Sequence, residues 1–458
     1  MDELARIPYR LEGLELFQVG VFEKTRFDFK PIETLEADAN KAEIHLLTGP
    51  NGSGKSTVLY AISDIFRGFS DEPIISRRFK DNESYVCFKF NNKAGLLARK
   101  PIQGIEIFGS YLPMSSDERL GRFVGYGEGF ESLLGKYKAY ASIYDPRNVG
   151  SQNTFSFAVF AYSGLRSLQQ SEIGAIQEIS TPPFQQALSF DQTVRPQLLL
   201  QWIANNRAQA ALARADGDMS DANQYDLALK RITNLIKEIC DLEVEFKLER
   251  SPLNVSLVVN NAPIRFDGLP DGLKSIISWV ADLSLRLESI PWKDKEKDVF
   301  SQPIILLLAE IDIHLHPKWQ RRILPAVQKL LPNAQIFAST HSPFVVGSVE
   351  DAWVYQLPEA NQQATSGVIE GIPSAAGKSY QLILEEIFGV SEEFDIETEQ
   401  LFADFYKERD LVIKNKQVSD QFLELAKKVS NRGEEAQFII ERELRQVSRL
   451  ISQEIILA

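Results

Sequence analysis

The chain has 458 residues, of which 44% are hydrophobic and 25% charged, values typical of a water-soluble globular protein with two or three lobes. Its net charge of −13 argues against nonspecific coating of DNA, which requires clustered lysines and arginines, although a local basic face stays open. The apolar runs are too short to cross a bilayer, the first residues have no signal-peptide pattern, and Cys87 and Cys240 have no metal-type spacing, so we expect a cytoplasmic protein with reduced thiols and no membrane partner.

The first predicted elements are two strands of an antiparallel hairpin within residues 9–30, where apolar and polar residues alternate. Lys24 and Arg26 lie on this hairpin, and the sequence leaves open whether they approach a ligand or are surface charges. A short apolar run at 44–47 then predicts a buried strand, and residues 57–62 have the apolar spacing of a helix. Between them lies a match to the phosphate-binding loop, formed by Gly49, Pro50, Asn51, Gly52, Ser53, Gly54, Lys55, Ser56 and Thr57.

Strand, glycine-rich loop and helix are the context in which this pattern binds nucleotide phosphates. Glycines let the loop turn its backbone N–H groups toward phosphate oxygens, and the helix N-terminus adds partial positive charge. We expect Lys55 to reach the β- and γ-phosphates and the Ser56 hydroxyl to hold Mg²⁺. The predicted ligands are therefore ATP and Mg²⁺, and the Lys-Ser pair argues against a loop that binds nothing.

Beyond a predicted N-terminal ATPase lobe, residues 1–110, the sequence predicts a mostly helical insertion at 111–242. This insertion contains an apolar run that enters Ser163–Arg166, a positional candidate for a loop beside the nucleotide. Two helices follow within 196–241, with a turn near 217–221. Since no heptad repeat is sustained, long coiled-coil arms are not expected.

A C-terminal ATPase lobe is predicted at 243–358, where short strands precede Leu269–Ser275 at the start of a helix. The continuous apolar strand at 304–308 is typical of a parallel sheet buried on both faces. A further strand follows at 335–340, and an edge strand is predicted at 352–356. The predicted helical tail, 359–458, contains four amphipathic helices, at 380–389, 395–414, 418–430 and 433–455.

Two residues at strand ends are the catalytic candidates. Glu310 follows the apolar strand, and in phosphate-loop ATPases such a strand brings acidic groups to the metal and the attacking water; we expect this strand to lie beside the phosphate-loop strand. His341 ends the following strand and is predicted to contact the γ-phosphate rather than to be only structural. His314 and His316, beside Asp312, are better explained by the shape of the turn than by a metal site.

These motifs occur in a recognisable order. In the order of four motifs the chain resembles the ABC-type ATPases of the RecF and SMC class. The motifs are the phosphate loop, the Leu-Pro-Asp-Gly run at 269–272, the Glu-Ile-Asp-Ile-His-Leu-His-Pro run at 310–317 and the Ser-Thr-His-Ser-Pro run at 339–343. The histidine-containing run, followed by Trp-Gln-Arg-Arg at 319–322, is similar to AAA-family ATPases of bacterial anti-phage systems, especially Septu-type and retron-associated ones. The resemblance implies an α/β fold: an ABC-type phosphate-loop ATPase head with a mixed sheet, a helical insertion and a C-terminal helical tail.

The resemblance also implies how such heads work. ATP is sandwiched between the phosphate loop of one subunit and the signature loop of another, so Pro270, Asp271 and Gly272 would face the opposite γ-phosphate and Asp312 would lie at the dimer interface. The implied partners are further copies of the chain, in head-to-head dimers or higher oligomers, and an effector nuclease or toxin, with an HNH-type nuclease favoured. DNA or RNA is left open as a partner. Nucleotide state would gate the effector.

Two positions depart from the family pattern. Ala309 stands where the Mg²⁺-associated aspartate of the strand belongs, and Pro270 stands at the signature serine. A methyl group accepts no hydrogen bond from a metal-bound water, so either the chain is a slow ATPase that uses ATP as a structural ligand or the residue has been altered. The alternative function is a RecF-like DNA-repair ATPase that hydrolyses ATP on DNA. A nuclease within this chain is disfavoured, because no suitable acidic or HNH motif follows the ATPase motifs.

Overall fold

The computed structural model describes residues 7–32, 41–68, 73–102, 105–112, 118–119, 122–126, 131–148, 153–164, 173, 175–359 and 365–455. The chain forms two compact units, Met1–Phe388 and Gly389–Ala458. The predicted loop candidate Ser163–Arg166 is described only at its first two residues, and Leu165 and Arg166 lie outside the described residues.

A six-stranded sheet is the centre of the first unit, with the strand order β10-β14-β15-β3-β16-β18. Its strands are β3 (Glu43–Thr48), β10 (Ala158–Tyr162), β14 (Ile304–Leu308), β15 (Ala334–Ser339), β16 (Ala352–Gln356) and β18 (Ile372–Pro373). All neighbouring pairs are parallel except β16 with β18. The four strands β10, β14, β15 and β3 are buried along their whole length, which explains their continuous apolar runs.

This strand order corrects two predictions. The strand that ends at Glu310 was expected beside the phosphate-loop strand, but β15 pairs with both and separates them. The run at 352–356 was expected at an edge, whereas β18 pairs with its outer side. Strand neighbours depend on backbone pairing between distant segments, which local sequence patterns do not report.

The second large sheet has seven strands, in the order β17-β2-β1-β4-β5-β9-β8. Its strands are β1 (Leu11–Val19), β2 (Phe22–Asp28), β4 (Tyr85–Phe90), β5 (Lys93–Ala98), β8 (Glu118–Arg119), β9 (Arg122–Tyr126) and β17 (Thr365–Glu370). The predicted hairpin is β1 with β2. Two smaller antiparallel groups are β6 (Ile105–Ile107) with β7 (Ser110–Leu112), and β11 (Val244–Arg250), β12 (Leu253–Val259) and β13 (Ala262–Ile264).

The helices of the first unit are α1 (Lys55–Phe66), α2 (Lys136–Ile143), α3 (Pro196–Ala215), α4 (Met219–Cys240), α5 (Asp271–Glu288), α6 (Pro317–Leu330), α7 (Pro343–Val346) and α8 (Tyr380–Phe388). The predicted segment boundaries differ from this arrangement at two places. The segment 111–242 contains β10, a strand of the central sheet, and the segment 359–458 begins with β17, β18 and α8, which belong to the first unit. Each compact unit is one continuous segment of the chain, and the boundary between them follows Phe388.

Three helices form the second unit: α9 (Ile396–Asn415), α10 (Asp420–Ser430) and α11 (Glu434–Ile451). They share a core of their own, built from Phe402, Phe405, Val412, Phe422, Ala426, Val429, Ala436, Ile440, Leu444 and Val447. Asp395 and Ser419 cap α9 and α10 by accepting hydrogen bonds from backbone N–H groups of the first turn. None of the helices in the described part of the chain is long and apolar enough to span a membrane.

A buried polar network joins the two large sheets at the start of β3. The Arg10 guanidinium donates to the Glu43 carboxylate at 3.0 and 2.5 Å, and Gln335 donates to Glu43 at 2.9 Å. Burial opposes ionisation of Glu43, but hydrogen bonding to His45 and the charges of His45 and Arg10 outweigh it and lower its pKa to about 2. Burial lowers the pKa of His45 below its usual value. The network fixes β1, β3 and β15 relative to one another and so aligns the strands that carry the site.

Candidate nucleotide-binding site

The phosphate loop leaves the carboxyl end of β3 and enters α1, as the sequence predicts. Three glycines have backbone angles that favour glycine, with φ of 141° at Gly49, 81° at Gly52 and 100° at Gly54. A Cβ atom at Gly54 would lie 2.6 Å from the Phe22 ring, and one at Gly49 would lie 2.5 Å from the Leu357 carbonyl oxygen. The loop is therefore held between β2 and the segment after β16, and larger residues would displace it.

Lys55 lies inside this loop, and its ammonium group donates to the carbonyl oxygens of Gly49 and Pro50, both at 2.8 Å. Burial lowers its pKa, while the negative charges of Glu310 and Asp312 act in the opposite direction. The first N–H groups of α1 have no partner within the helix, and Ser53 Oγ is a buried hydroxyl without a hydrogen-bond partner among the described residues. These donors suit a phosphate group, and the Ser56 hydroxyl in the first turn would be the protein ligand of a magnesium ion.

A cavity of about 380 Å³ lies over the loop and joins segments from distant parts of the chain. Its walls are formed by Gly20, Val21, Asn51, Gly52, Gly54, Lys55, Ser56, Thr57, Arg78, Glu310 and His341. The structure thus brings the two catalytic candidates to the phosphate loop. The three segments follow β3, β14 and β15, whose carboxyl ends meet at one edge of the parallel sheet, where ligands bind in α/β folds.

Arg78 is a wall residue that the sequence did not identify. Its guanidinium donates to Thr57 Oγ1 at 2.5 Å and lies 4.7 Å from the centre of the Tyr60 ring. The only sequence signal was the Arg77–Arg78 pair, which is usually a solvated surface. Lys24 and Arg26, the hairpin candidates, are not among the cavity walls, and Arg26 pairs with Asp28 at 2.8 Å.

The end of β14 places Glu310 at the cavity in an unusual backbone conformation. Its φ is 48°, in the left-handed region, and its N–H donates to Ser339 Oγ at 2.9 Å. Gly164 leaves space for this residue, since a Cβ there would lie 2.8 Å from Glu310 Cβ. Ala309 is buried and its N–H donates to the Tyr162 carbonyl oxygen at 2.9 Å. The end of β14 therefore presents one carboxylate, that of Glu310. The Ala309 methyl group occupies the position where the family resemblance predicts a second carboxylate.

His341 faces that carboxylate from the end of β15. Burial lowers the pKa of its imidazole, Lys55 lowers it further, and Asp312 and Glu310 act in the opposite direction. The ring is therefore neutral at neutral pH. The backbone N–H of His341 lies 3.4 Å from both carboxylate oxygens of Asp312. Asp312, which we predicted at the dimer interface, therefore contacts His341 of its own chain.

The predicted signature residues lie elsewhere. Pro270 caps α5, and Asp271 is exposed and pairs with Lys274 at 3.3 Å. A Cβ at Gly272 would lie 2.6 Å from the His314 carbonyl oxygen, so this glycine allows close packing against the turn after β14. None of Pro270, Asp271 and Gly272 is a wall of the nucleotide cavity.

The turn after β14 supports the structural interpretation of its histidines. His316 caps α6 by accepting a hydrogen bond from the Lys318 N–H at 3.2 Å, and His314 has a left-handed φ of 61°. In the part of the chain that the structure describes, no group of three His, Cys, Asp or Glu residues could hold a metal ion.

Comparison with protein families agrees with this geometry. A model described as "AAA domain, putative AbiEii toxin, Type IV TA system" matches residues 143–347, and a second AAA-domain model matches residues 9–101. These matches agree with the phosphate loop, the glutamate and the histidine that lie at the ends of three parallel strands. In its motifs and in these matches the chain is similar to ABC-type ATPases with AAA domains, and it adds a C-terminal helical unit.

Its curated relatives include probable ATPases of retrons and Septu proteins. The chain is 24% identical to a retron Vc95 probable ATPase of Vibrio cholerae over 380 residues, 70% of each protein. It is 31% identical to a retron Ec83 probable ATPase of Escherichia coli over 32% of this chain and 26% of that protein. It is 29% identical to a Septu protein PtuA of Bacillus thuringiensis over 38% of this chain and 49% of that protein. The last two alignments thus span half or less of those relatives.

Solved structures give more distant likenesses. An SMC head bound to the C-terminal winged-helix domain of ScpA has a TM-score of 0.41 and 14% identity, covering 79% of this chain and 97% of that one. RecF from a recombination mediator pathway has a TM-score of 0.37 and 12% identity, covering 80% and 99%. These likenesses concern the fold alone.

Proposed function

We propose that the chain binds Mg-ATP, dimerises head to head through it, and acts as a sensor or scaffold that gates a nuclease or toxin effector in bacterial defence. The observation that carries the nucleotide part is the single cavity walled by Lys55, Glu310 and His341, which lie on three segments. Resemblance to retron and Septu ATPases supports the defence role. The chain would act in the cytoplasm. The effector would be a separate polypeptide chain.

Within the cavity each residue would have a distinct role. Lys55 and the N–H groups of the loop would neutralise the phosphates, and Ser56 would hold the metal. Glu310 would orient or deprotonate the attacking water, and the neutral His341 would hydrogen-bond the γ-phosphate. Bound Mg²⁺ would add charge neutralisation at the phosphates. Because Ala309 offers no carboxylate to a metal-bound water, we expect slow turnover and a long-lived ATP state.

The position of the signature residues supports the proposed dimer. Asp271 and Gly272, at the N-terminus of α5, are not walls of the cavity, and a helix N-terminus favours an anionic partner. A second copy could place this helix against the γ-phosphate of the first. Each composite site would then need both chains, which makes self-association depend on ATP.

Sedimentation with and without Mg-ATP tests this proposal. We expect association with ATP, no association of Lys55→Ala, and no association of Asp271→Trp, whose bulky side chain would occupy the exposed start of α5. Mixing the two variants is the decisive control, since a heterodimer would retain one site with both an intact loop and an intact helix. Equal association with and without ATP, or no recovery on mixing, would contradict the ATP-dependent dimer.

A further inference from the structure

The two loops that carry the catalytic candidates are joined by one side chain that the proposed function does not use. Gln320 lies in the first turns of α6 and is partly buried. Its Nε2 donates to the carbonyl oxygens of Asp312 at 3.2 Å and Leu315 at 2.9 Å. Its Oε1 accepts a hydrogen bond from Ser342 Oγ at 2.7 Å. One amide thus binds the loop after β14 on one side and the loop after β15 on the other.

The amide is the side-chain group that these partners require. Its two N–H donors face two carbonyl oxygens, while its own carbonyl faces a hydroxyl donor, so its hydrogen-bonding pattern is complementary in only one orientation. A glutamate of the same length would turn an oxygen toward two carbonyl oxygens, which would repel it. A leucine of similar volume would leave all three groups without this partner.

Both ends of the bridge lie next to catalytic candidates. Ser342 directly follows His341, and its hydroxyl also accepts hydrogen bonds from the N–H groups of Phe344 at 3.1 Å and Val345 at 3.3 Å, so it starts α7. Asp312 lies two residues after Glu310, and its carboxylate receives the His341 N–H. His341 is therefore held on both sides, by Asp312 at its backbone and through Ser342 by Gln320.

We propose that Gln320 is a positioning residue that holds His341 opposite Glu310 by fixing the two loops to α6. This inference rests on the proposed function, because the value of that alignment lies in nucleotide binding and hydrolysis. The mechanism is geometric: small displacements of groups around a reacting centre cost large factors in rate even when the substrate still binds. Gln320 itself is not a wall of the cavity.

The sequence offers a direct probe of His341, because the chain has four histidines. Imidazole NMR of histidine-labelled protein, assigned by single substitutions, reports each ring. We expect Gln320→Leu to shift or broaden the His341 signal, since the ring would leave its place among Lys55, Glu310 and Asp312. His45, which is fully buried within β3 and is not a wall of the cavity, should keep its signal and would show that the fold is intact.

Gln328→Leu is the matched control, on the same helix. Its amide is buried and donates to the carbonyl oxygens of Ala42 at 2.9 Å and Asp351 at 3.4 Å, away from the cavity. This change should lower stability but leave the His341 signal and turnover as in the unaltered chain. For Gln320→Leu and Gln320→Glu we expect kcat to fall about tenfold or more with KM for ATP within about twofold.

Two results would overturn the inference: a His341 signal and kcat unaffected by Gln320→Leu, or the same changes in Gln328→Leu, which would indicate general destabilisation. Failure of the proposed function has a different signature. An unaltered chain that binds no ATP would refute that function, while the NMR comparison would still decide whether Gln320 positions His341.

Discussion

The nucleotide cavity has two walls that differ in completeness. The phosphate-loop wall has every group that the motif requires: three glycines with positive φ, Lys55 inside the loop and Ser56 at the start of α1. The opposite wall, formed by the ends of β14 and β15, has Glu310 and His341. The residue before Glu310 is Ala309, where the family resemblance predicts a carboxylate. Binding and hydrolysis therefore depend on different parts of the molecule.

On the proposed function, this chain would be better equipped to hold a nucleotide than to cleave it. Phosphate affinity comes from backbone N–H groups and one lysine, which are all present. Turnover also depends on how the metal and its waters are oriented, and outer carboxylates contribute to that orientation. The following changes test the two walls separately, beginning with the largest expected effect.

Removal of the lysine charge should weaken the phosphate-loop wall most. We expect Lys55→Ala to lose about 1.5–3 kcal/mol of ATP binding, roughly 10- to 150-fold in Kd, because a charge-assisted hydrogen bond is lost. Calorimetric titration with Mg-ATP measures this. Lys329→Ala is the control, since that exposed lysine pairs with Glu238 away from the cavity. Unchanged affinity of Lys55→Ala would mean that the loop does not bind the phosphates.

Restoring the missing carboxylate should repair the opposite wall. We expect Ala309→Asp to raise phosphate release from Mg-ATP about 10- to 100-fold at equal nucleotide occupancy, because the aspartate could accept a hydrogen bond from a metal-bound water. Ala309→Asn, of nearly the same shape but uncharged, should give a smaller gain. If alanine and aspartate forms turn over alike, the metal is held without that carboxylate and the slow-ATPase interpretation is wrong.

Arg78 extends the phosphate-loop wall in a way that the motif does not encode. Arg78→Ala should weaken ATP binding by about 1 kcal/mol, roughly fivefold in Kd, through loss of the contact with Thr57 and of positive charge at the cavity. Lys80→Ala removes an exposed charge two residues away and should leave affinity unchanged. Equal losses in the two variants would point to general surface charge.

The smallest expected effect is a shift in the pKa of His341, which depends on charged groups from both walls. Burial and the Lys55 charge lower the pKa of His341, whereas Asp312 and Glu310 oppose this. Loss of the positive charge in Lys55→Met should therefore raise the His341 pKa, and loss of the negative charge in Glu310→Gln should lower it further. NMR titration of the ring measures both. Shifts of the opposite sign would show that His341 does not lie between these groups.

The same shift gives a pH dependence. Since the His341 pKa lies below its ordinary value, the ring stays neutral down to a lower pH than that of an ordinary histidine. A step that requires neutral His341 should be fully active at neutral pH and be lost only as the pH falls through the lowered pKa.

Local sequence patterns predicted most of the helices and strands. They also predicted the phosphate-loop wall of the cavity, which lies within one continuous segment. The phosphate loop has its strand, turn and helix within about 20 consecutive residues, so its geometry follows from glycine conformation and helix polarity. The two tail helices at 395–414 and 418–430 were likewise predicted within a few residues of α9 and α10. Such features depend on contacts between residues close in sequence.

Two predictions about strand neighbours were wrong. β15 lies between β3 and β14 in the central sheet. β17 belongs to the first unit, although 47 residues separate it from Pro317 at the start of α6. Both depend on pairing between segments far apart in sequence, and alternation of apolar residues does not specify a partner. The contacts of Arg78 and Gln320 have the same origin, since each side chain bonds to a segment distant in sequence.

The sequence by itself therefore determined a match to the phosphate-binding loop, a candidate base in Glu310 and a candidate γ-phosphate contact in His341. It also showed that Ala309 departs from the strand end that the family resemblance predicts. Each of these is a statement about residue type within a local pattern. Only the tertiary structure decided that Glu310 and His341 share a cavity with Lys55, that Asp312 contacts His341 within one chain, and that Gln320 bridges the two loops. Those relations arise from the packing of β3, β14, β15 and α6, because spatial proximity is set by long-range contacts.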